Sequence, residues 1–282
     1  MKKKRTIKDI TRMKKAGEKI TMLTAYDASF AQLLDSAGVD VLLVGDSLGM
    51  VLLGYESTVP VSMDEMIHHA SAVKRGTQNA LLVGDMPFMS YQVSIEEAVR
   101  NGGRFLKEAG CDAVKLEGGI EVCETVQALV RAGISVMGHI GLTPQTAGQL
   151  GGYRVQGKDA ESARKLLADA QALEKAGAFG VVLECIPDSL AGLITESLTI
   201  PTIGIGAGVN CDGQVLVSHD LLGMFEKFVP SFVKKYANLA PQMKEAVASF
   251  MEEVRSGQYP DDERSFSMKV DAETLLAEKS ET

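Results

Sequence analysis

The chain has no tryptophan, only 5% aromatic residues, and an excess of acid over base: 37 Asp and Glu against 29 Lys and Arg, a formal net charge of −8. Such a surface repels phosphate backbones and offers few rings on which bases can stack, which argues against nucleic acid as a partner. Long apolar runs are also missing. The stretch from Val39 to Val44, broken by Asp40, falls far short of the ~18 residues that cross a bilayer, so no membrane segment is expected. The four cysteines, Cys111, Cys123, Cys185 and Cys211, show no C-x-x-C spacing, and Cys111 and Cys185 adjoin strand-like apolar runs. They read as buried free thiols in a reducing cytoplasm. The basic start Met1-Lys2-Lys3-Lys4-Arg5 is followed by no apolar core or small-residue cleavage site, and reads as a solvated arm.

What the 282 residues do have is ample core material, with 45% apolar content. Short runs rich in Val, Ile and Leu recur at 20–25, 39–46, 80–85, 112–117, 134–140, 179–185, 201–206 and 214–218. Segments with helical spacing lie between them at 27–37, 62–75, 94–109, 120–132, 158–176 and 188–198, several opening on a capping residue such as Ser62, Ser94 or Asp188. Strict alternation of eight strands with helices predicts one α/β domain over 1–282, a (β/α)8 TIM barrel, with 231–282 as extra C-terminal helices and a polar tail. The pairs Ala37-Gly38, Ala109-Gly110, Ala132-Gly133 and Ala176-Gly177 each place a glycine suited to a left-handed stop just before a strand.

In such a barrel the carboxyl ends of the strands build the active face, so ionisable residues there carry meaning. Asp46 follows Val44-Gly45, Asp85 follows Val83-Gly84, and Glu117 ends Lys115-Leu116 before two glycines. Three carboxylates at equivalent strand ends, with no thiolate among them, suit a hard cation, above all Mg²⁺. A period of two along the fourth strand puts Lys115 and Glu117 on one face, pointing together at the barrel axis. Glu184 lies between apolar flanks, an environment that lifts a carboxyl toward the range of a general base. His139, also at a strand end, reads as a hydrogen-bonding site residue, while His68 and His69 read as surface residues. The glycine-rich 145–157 stretch reads as a functional, mobile loop. Gly204-Ile205-Gly206-Ala207-Gly208 is compatible with a phosphate cradle, but with no Lys or Arg in 200–211 tight turning is preferred.

Several of these segments occur together in one order: Met22-Leu23-Thr24-Ala25-Tyr26-Asp27, Gly45-Asp46-Ser47, Gly84-Asp85-Met86-Pro87-Phe88, Lys115-Leu116-Glu117-Gly118-Gly119, Gly138-His139-Ile140-Gly141-Leu142-Thr143-Pro144-Gln145 and Gly204–Gly208. Over 7–266 the chain thus resembles the ketopantoate hydroxymethyltransferase family. The resemblance implies transfer of a hydroxymethyl group from methylenetetrahydrofolate to α-ketoisovalerate, giving ketopantoate, the first committed step toward pantothenate. It implies that Asp46 and Asp85 hold one Mg²⁺ per subunit and that Glu117 completes its shell, directly or through water. Asp46, Ser47, Asp85 and Lys115 would contact the keto acid, and Glu184 would accept its proton. A cytoplasmic homo-oligomer, commonly a decamer, is implied as well. Where the family pattern has Glu-His-Ser-Phe near the end, this chain has Glu263-Arg264-Ser265-Phe266. The rival readings are a Mg²⁺-dependent carbon–carbon lyase of the phosphoenolpyruvate-mutase type, which would want a Lys-Cys-Gly-His-like loop absent here, and a barrel that binds its ligand without turnover.

Overall fold

Eight short strands, β1 (Ile20–Thr24), β2 (Val41–Val44), β3 (Leu81–Asp85), β4 (Ala113–Glu117), β5 (Val136–Gly141), β6 (Gly180–Glu184), β7 (Thr202–Ile205) and β8 (Gly213–Leu216), pair in parallel, and β8 returns to β1 to close a barrel. This is a computed structural model, and it describes residues 4–149 and 151–269. The strands are apolar on both faces because one face fills the barrel and the other packs on helices. Those helices are α2 (Ala28–Ala37), α4 (Met63–Gly76), α5 (Ile95–Lys107), α6 (Cys123–Arg131), α7 (Ala160–Ala176) and α8 (Asp188–Ser197). Ser62 and Ser94 cap α4 and α5 as expected, accepting from the N–H groups of Glu65 and Glu97. Asp188 is instead the first residue of α8, and its carboxylate takes the neighbouring Ser189 N–H. Gly38, Gly110, Gly133 and Gly177 all have positive φ, as the repeated Ala-Gly pairs suggest.

The barrel interior is filled by Ile20, Met22, Val41, Leu43, Leu81 and Val83 with their counterparts on the other strands. A first helix, α1 (Ile7–Ala16), adds Ile10 and Met13 to that cluster and stoppers one end of the barrel. Its apolar stripe, Ile7, Ile10 and Met13, is thin among lysines, and so escapes a search for longer periodic runs. The two basic residues before it are not a solvated arm: Lys4 pairs with Asp112 at 2.6 Å and Arg5 with Asp40 at 2.9 Å. Residues 1–3 lie outside the described residues.

Two one-turn helices, α3 (Leu48–Val51) and α9 (Ser218–Leu221), follow β2 and β8, and α10 (Leu239–Ser256) ends the regular structure. The helical reading of 231–256 therefore holds only from Leu239. Before it the chain is irregular: the Val233 N–H closes a turn on the Pro230 carbonyl and the Tyr236 N–H reaches the Leu221 carbonyl, while Leu239 and Ala240, which open α10, donate to Leu222 and Gly223. Tertiary pairing overrides local periodicity there. The expected polar tail from 257 onward includes a short turn at Asp262–Arg264, and its last part, 270–282, lies outside the described residues.

Candidate active site

Strand register assembles the site. Asp85 of β3 is the Cα partner of Lys115 on β4, and Glu117 is the partner of His139 on β5, so four ionisable side chains point inward from three adjacent strands. Gly84 makes this possible on β3: a Cβ there would stand 2.3 Å from the ring of Phe105, which packs α5 against the strand. The Lys115 ammonium lies 2.7 Å from Asp85 Oδ1 and 3.9 Å from Glu117 Oε1. His139 stands between two acids, with Nδ1 3.4 Å from Glu117 Oε1 and Nε2 3.1 Å from Glu184 Oε2, both off line for a hydrogen bond. Charge attraction holds this ring. Gly141 (φ +96°) turns the chain beside β6, where a Cβ would meet the Glu184 carbonyl at 2.2 Å.

Glu184 thus does not sit in apolar surroundings. Its flanking Leu183 packs in the core and Cys185 lines the same cavity, while the carboxylate faces His139. Asp46, Asp85, Lys115, Glu117 and His139 are all buried, which makes their mutual charges decisive. Burial, joined by the negative charges of Asp85 and Glu117, holds the Asp46 carboxyl well above the usual range. Burial opposes ionisation of Lys115, yet Asp85, Glu117 and Asp46 outweigh it and keep the ammonium charged. For His139, burial and Lys115 push the pKa down, but Glu117 and Glu184 raise it to about 9, so the ring is an imidazolium at neutral pH.

The sequence reading misses two polar residues of this network. Gln145, buried in the turn after β5, donates Nε2 to Asp46 Oδ2 and to the Met86 carbonyl, both at 2.9 Å, and its backbone N–H reaches Glu117 Oε2 at 3.1 Å. Tyr91 donates its hydroxyl to Gln145 Oε1 at 2.8 Å. Gln145 opens the stretch read as a mobile loop, and it is a fixed part of the site; Leu150 of that stretch lies outside the described residues. Nearby, the hydroxyls of Tyr26 and Ser47 are 2.9 Å apart. His69 is half-buried with Nδ1 against the Tyr26 carbonyl, so only His68 is a surface residue. The Gly204–Gly208 turn holds no phosphate cradle: a Cβ at Gly206 would strike Phe232, and one at Gly208 would strike the Asp188 side chain, whose carboxylate would repel an anion.

Asp46, Ser47, Asp85, Lys115, Glu117 and Glu184 line one cavity of about 290 Å³ at the barrel mouth. Cys185 adjoins it with a strained φ of +47°, and burial pushes its thiol up to about 12, which leaves it inert as a nucleophile. Four carboxyl groups face two cations here, and a divalent ion would let the Asp46 carboxyl, raised by burial and by the charges of Asp85 and Glu117, ionise. Among the described residues no three side chains form a ready-made cage, because Lys115 and Gln145 occupy oxygens of Asp85 and Asp46. An all-oxygen pair plus water still suits Mg²⁺, which keeps several waters and uses one or two carboxylates.

Buried acids, a charged lysine and an imidazolium, held at the strand tips of a (β/α)8 barrel, define a barrel enzyme built to handle negative charge on a small substrate. Solved structures share the fold: phosphoenolpyruvate phosphomutase from Streptomyces platensis subsp. rosaceus superposes with a TM-score of 0.61 at 14% identity over 98% of this chain and 96% of that one. 2,3-Dimethylmalate lyase, a member of the PEP mutase/isocitrate lyase superfamily, gives 0.54 at 15% over 98% and 96%. The sequence profile of ketopantoate hydroxymethyltransferase matches residues 4–262, and the chain belongs to that family. The 3-methyl-2-oxobutanoate hydroxymethyltransferase of Desulfotalea psychrophila is 60% identical over 274 residues, 97% of this chain and 98% of the relative. That of Syntrophus aciditrophicus is 60% identical over 264 residues, 94% and 97%.

Proposed function

We propose that the chain transfers a hydroxymethyl group from methylenetetrahydrofolate to α-ketoisovalerate (3-methyl-2-oxobutanoate), giving ketopantoate for pantothenate synthesis. The observation that carries this reading is the buried cluster of Asp46, Asp85, Lys115, Glu117, His139 and Glu184 in a chain 60% identical to relatives named for that transfer. Asp46 and Asp85 would hold Mg²⁺, with Glu117 reached directly or through water, and the ion would supply positive charge beside the keto and carboxylate oxygens of the substrate. Ser47 and Lys115 bind the keto acid, the ammonium lying where negative charge grows on the keto oxygen. Glu184 accepts the methine proton, and His139, as an imidazolium, orients its carboxylate. The resulting carbon nucleophile bonds to the methylene carbon, water displaces the folate nitrogen and supplies the hydroxyl, and tetrahydrofolate leaves with the methine proton and the second proton of that water on its two freed nitrogens.

We further propose a cytoplasmic homo-oligomer. No described helix is long and apolar enough to cross a membrane, and α10 exposes Met243, Val247, Phe250 and Val254, a stripe that a second copy would cover. The direct test is product formation: protein, α-ketoisovalerate, methylenetetrahydrofolate and Mg²⁺ should yield ketopantoate by mass spectrometry. Binding of the keto acid without product would reject the transfer.

A further inference from the structure

Behind the site stands a buried tyrosine whose hydroxyl is engaged on three sides. Tyr91, in the loop between β3 and α5, accepts the Glu117 N–H at 3.2 Å. It has one proton to give, and Gln145 Oε1 at 2.8 Å lies nearer than the Glu117 carbonyl at 3.1 Å. The loop around it is held against its own preference. The Ser90 N–H reaches the Pro87 carbonyl, Asn101 of α5 donates Nδ2 to the Ser90 carbonyl at 2.8 Å, and Met89 is kept at a φ of +67° although its side chain is exposed. Non-glycine residues persist in such a conformation only where the surroundings over-determine it, and they gather at functional sites. What these contacts place is Tyr91.

Tyr91 does not line the cavity; it reaches the acids through the Gln145 amide. With Oε1 taken by the tyrosine, Nε2 is turned to Asp46 Oδ2 and the Met86 carbonyl, both at 2.9 Å. Turned over, the amide would press its oxygen against those two acceptors and leave the tyrosine proton facing an NH₂ group, so the hydroxyl and the Met86 carbonyl fix one orientation between them. The same residue gives its backbone N–H to Glu117 Oε2 at 3.1 Å. Gln145 therefore caps one oxygen on each of two acids, at the tips of β2 and β4. Asp46 Oδ1, which accepts from no described residue, is the oxygen left for the cavity. A carboxylate oriented in advance by such a donor loses little rotamer freedom when a cation binds.

Resting on the placement of Mg²⁺ at Asp46 and Asp85 proposed above, we infer that Tyr91 is a positioning residue of the site: its hydroxyl locks the Gln145 amide, and the amide holds Asp46 with Oδ1 presented for the ion. The test is a double-substitution cycle on Mn²⁺ affinity, read by electron paramagnetic resonance on the full chain. Tyr91→Phe keeps the ring and its packing, and should weaken Mn²⁺ by roughly 3–10-fold, the size of one lost hydrogen bond. In a Gln145→Leu background the same change should cost less than about two-fold, because the amide through which it acts is gone. A loss of equal size in both backgrounds overturns the inference, since it places the effect in ring packing or in the Glu117 backbone. So does unchanged Mn²⁺ affinity in Tyr91→Phe. Turnover gives a second readout: Tyr91→Phe should need roughly 3–10-fold more Mg²⁺ for half-maximal rate and regain the wild-type kcat at saturating Mg²⁺. A kcat that stays low at every Mg²⁺ concentration overturns the inference as well. Failure of wild type to bind Mn²⁺ is a different result: it removes the metal placement itself, and the role of Tyr91 with it.

Discussion

Nε2 of His139 stands 3.1 Å from Oε2 of Glu184, across the gap between β5 and β6. The pair assigns the roles of the two residues in proton transfer. With His139 raised to about 9 the ring is already protonated and has no free lone pair, which leaves Glu184 as the acceptor. Wild type should exchange the methine hydrogen of α-ketoisovalerate with solvent deuterium in the presence of Mg²⁺, followed by NMR. Glu184→Gln should suppress exchange and turnover by roughly 10²–10⁴-fold, the usual cost of a lost general base. His139→Asn should have a smaller effect, through misplacement of Glu184. The reverse ranking would make His139 the base.

Asp46 and Asp85 are the residues proposed for Mg²⁺, and Gln145 fixes the rotamer of the first. Chelation should abolish activity and added Mg²⁺ restore it. Asp85→Asn should lose most turnover at limiting metal, and should also weaken Mn²⁺ binding measured by electron paramagnetic resonance. Gln145→Leu should weaken the same Mn²⁺ signal less, because it removes an orienting donor and no ligand. Full activity of Asp85→Asn at limiting Mg²⁺ would remove that residue from the site.

The barrel could be read in the sequence because each strand is a short apolar run between glycine stops and amphipathic helices, a pattern that needs no knowledge of partners. Asp46, Asp85, Lys115 and Glu117 were legible for a related reason: a charge at the end of an apolar strand is out of place unless it faces the barrel mouth. The environment of Glu184 was not. Its chain neighbours are apolar, but its spatial neighbour His139 comes from the adjacent strand, and only the strand register reveals it. Gln145 was hidden because it sits in a single short turn of helix, where no periodicity marks which way a side chain points. The helical spacing at 231–238 misled because the Val233 N–H closes a turn on Pro230 and the Tyr236 N–H goes to the Leu221 carbonyl.

Asp220 of α9, whose Oδ1 is buried without a hydrogen-bond partner, sets a pH dependence. A carboxyl whose folded pKa is raised to about 6 favours folding in its protonated form; that contribution is complete below the unfolded value of about 4 and is lost as pH rises through about 6. Asp220→Asn, which cannot ionise, should therefore be more thermostable than wild type at pH 7, by an amount of order 1–3 kcal/mol for a bare buried acceptor. The advantage should shrink between pH 6 and 4. Melting temperatures of both proteins across that range check the sign, and a pH-independent difference would mean that Asp220 is solvated or paired in solution.

The outer face of α10 bears on assembly. Val247, Phe250, Met251 and Val254 recur at the three- and four-residue spacing of one helix side, and each is at least 40% exposed. Isolated apolar residues on a surface need no explanation, whereas a contiguous stripe on an 18-residue helix is the mark of a protein interface. If a second copy covers it, sedimentation equilibrium should give a mass several times that of the 30.1 kDa chain. The double substitution Val247→Asp and Phe250→Asp places two charges in that stripe, and burying unpaired charges is costly enough to dissociate the interface. The cavity is built without these residues, so the smaller species should still bind α-ketoisovalerate by calorimetry. A double variant with unchanged mass would show that α10 is covered by something else, and a monomeric wild type would rule out a second copy as its cover.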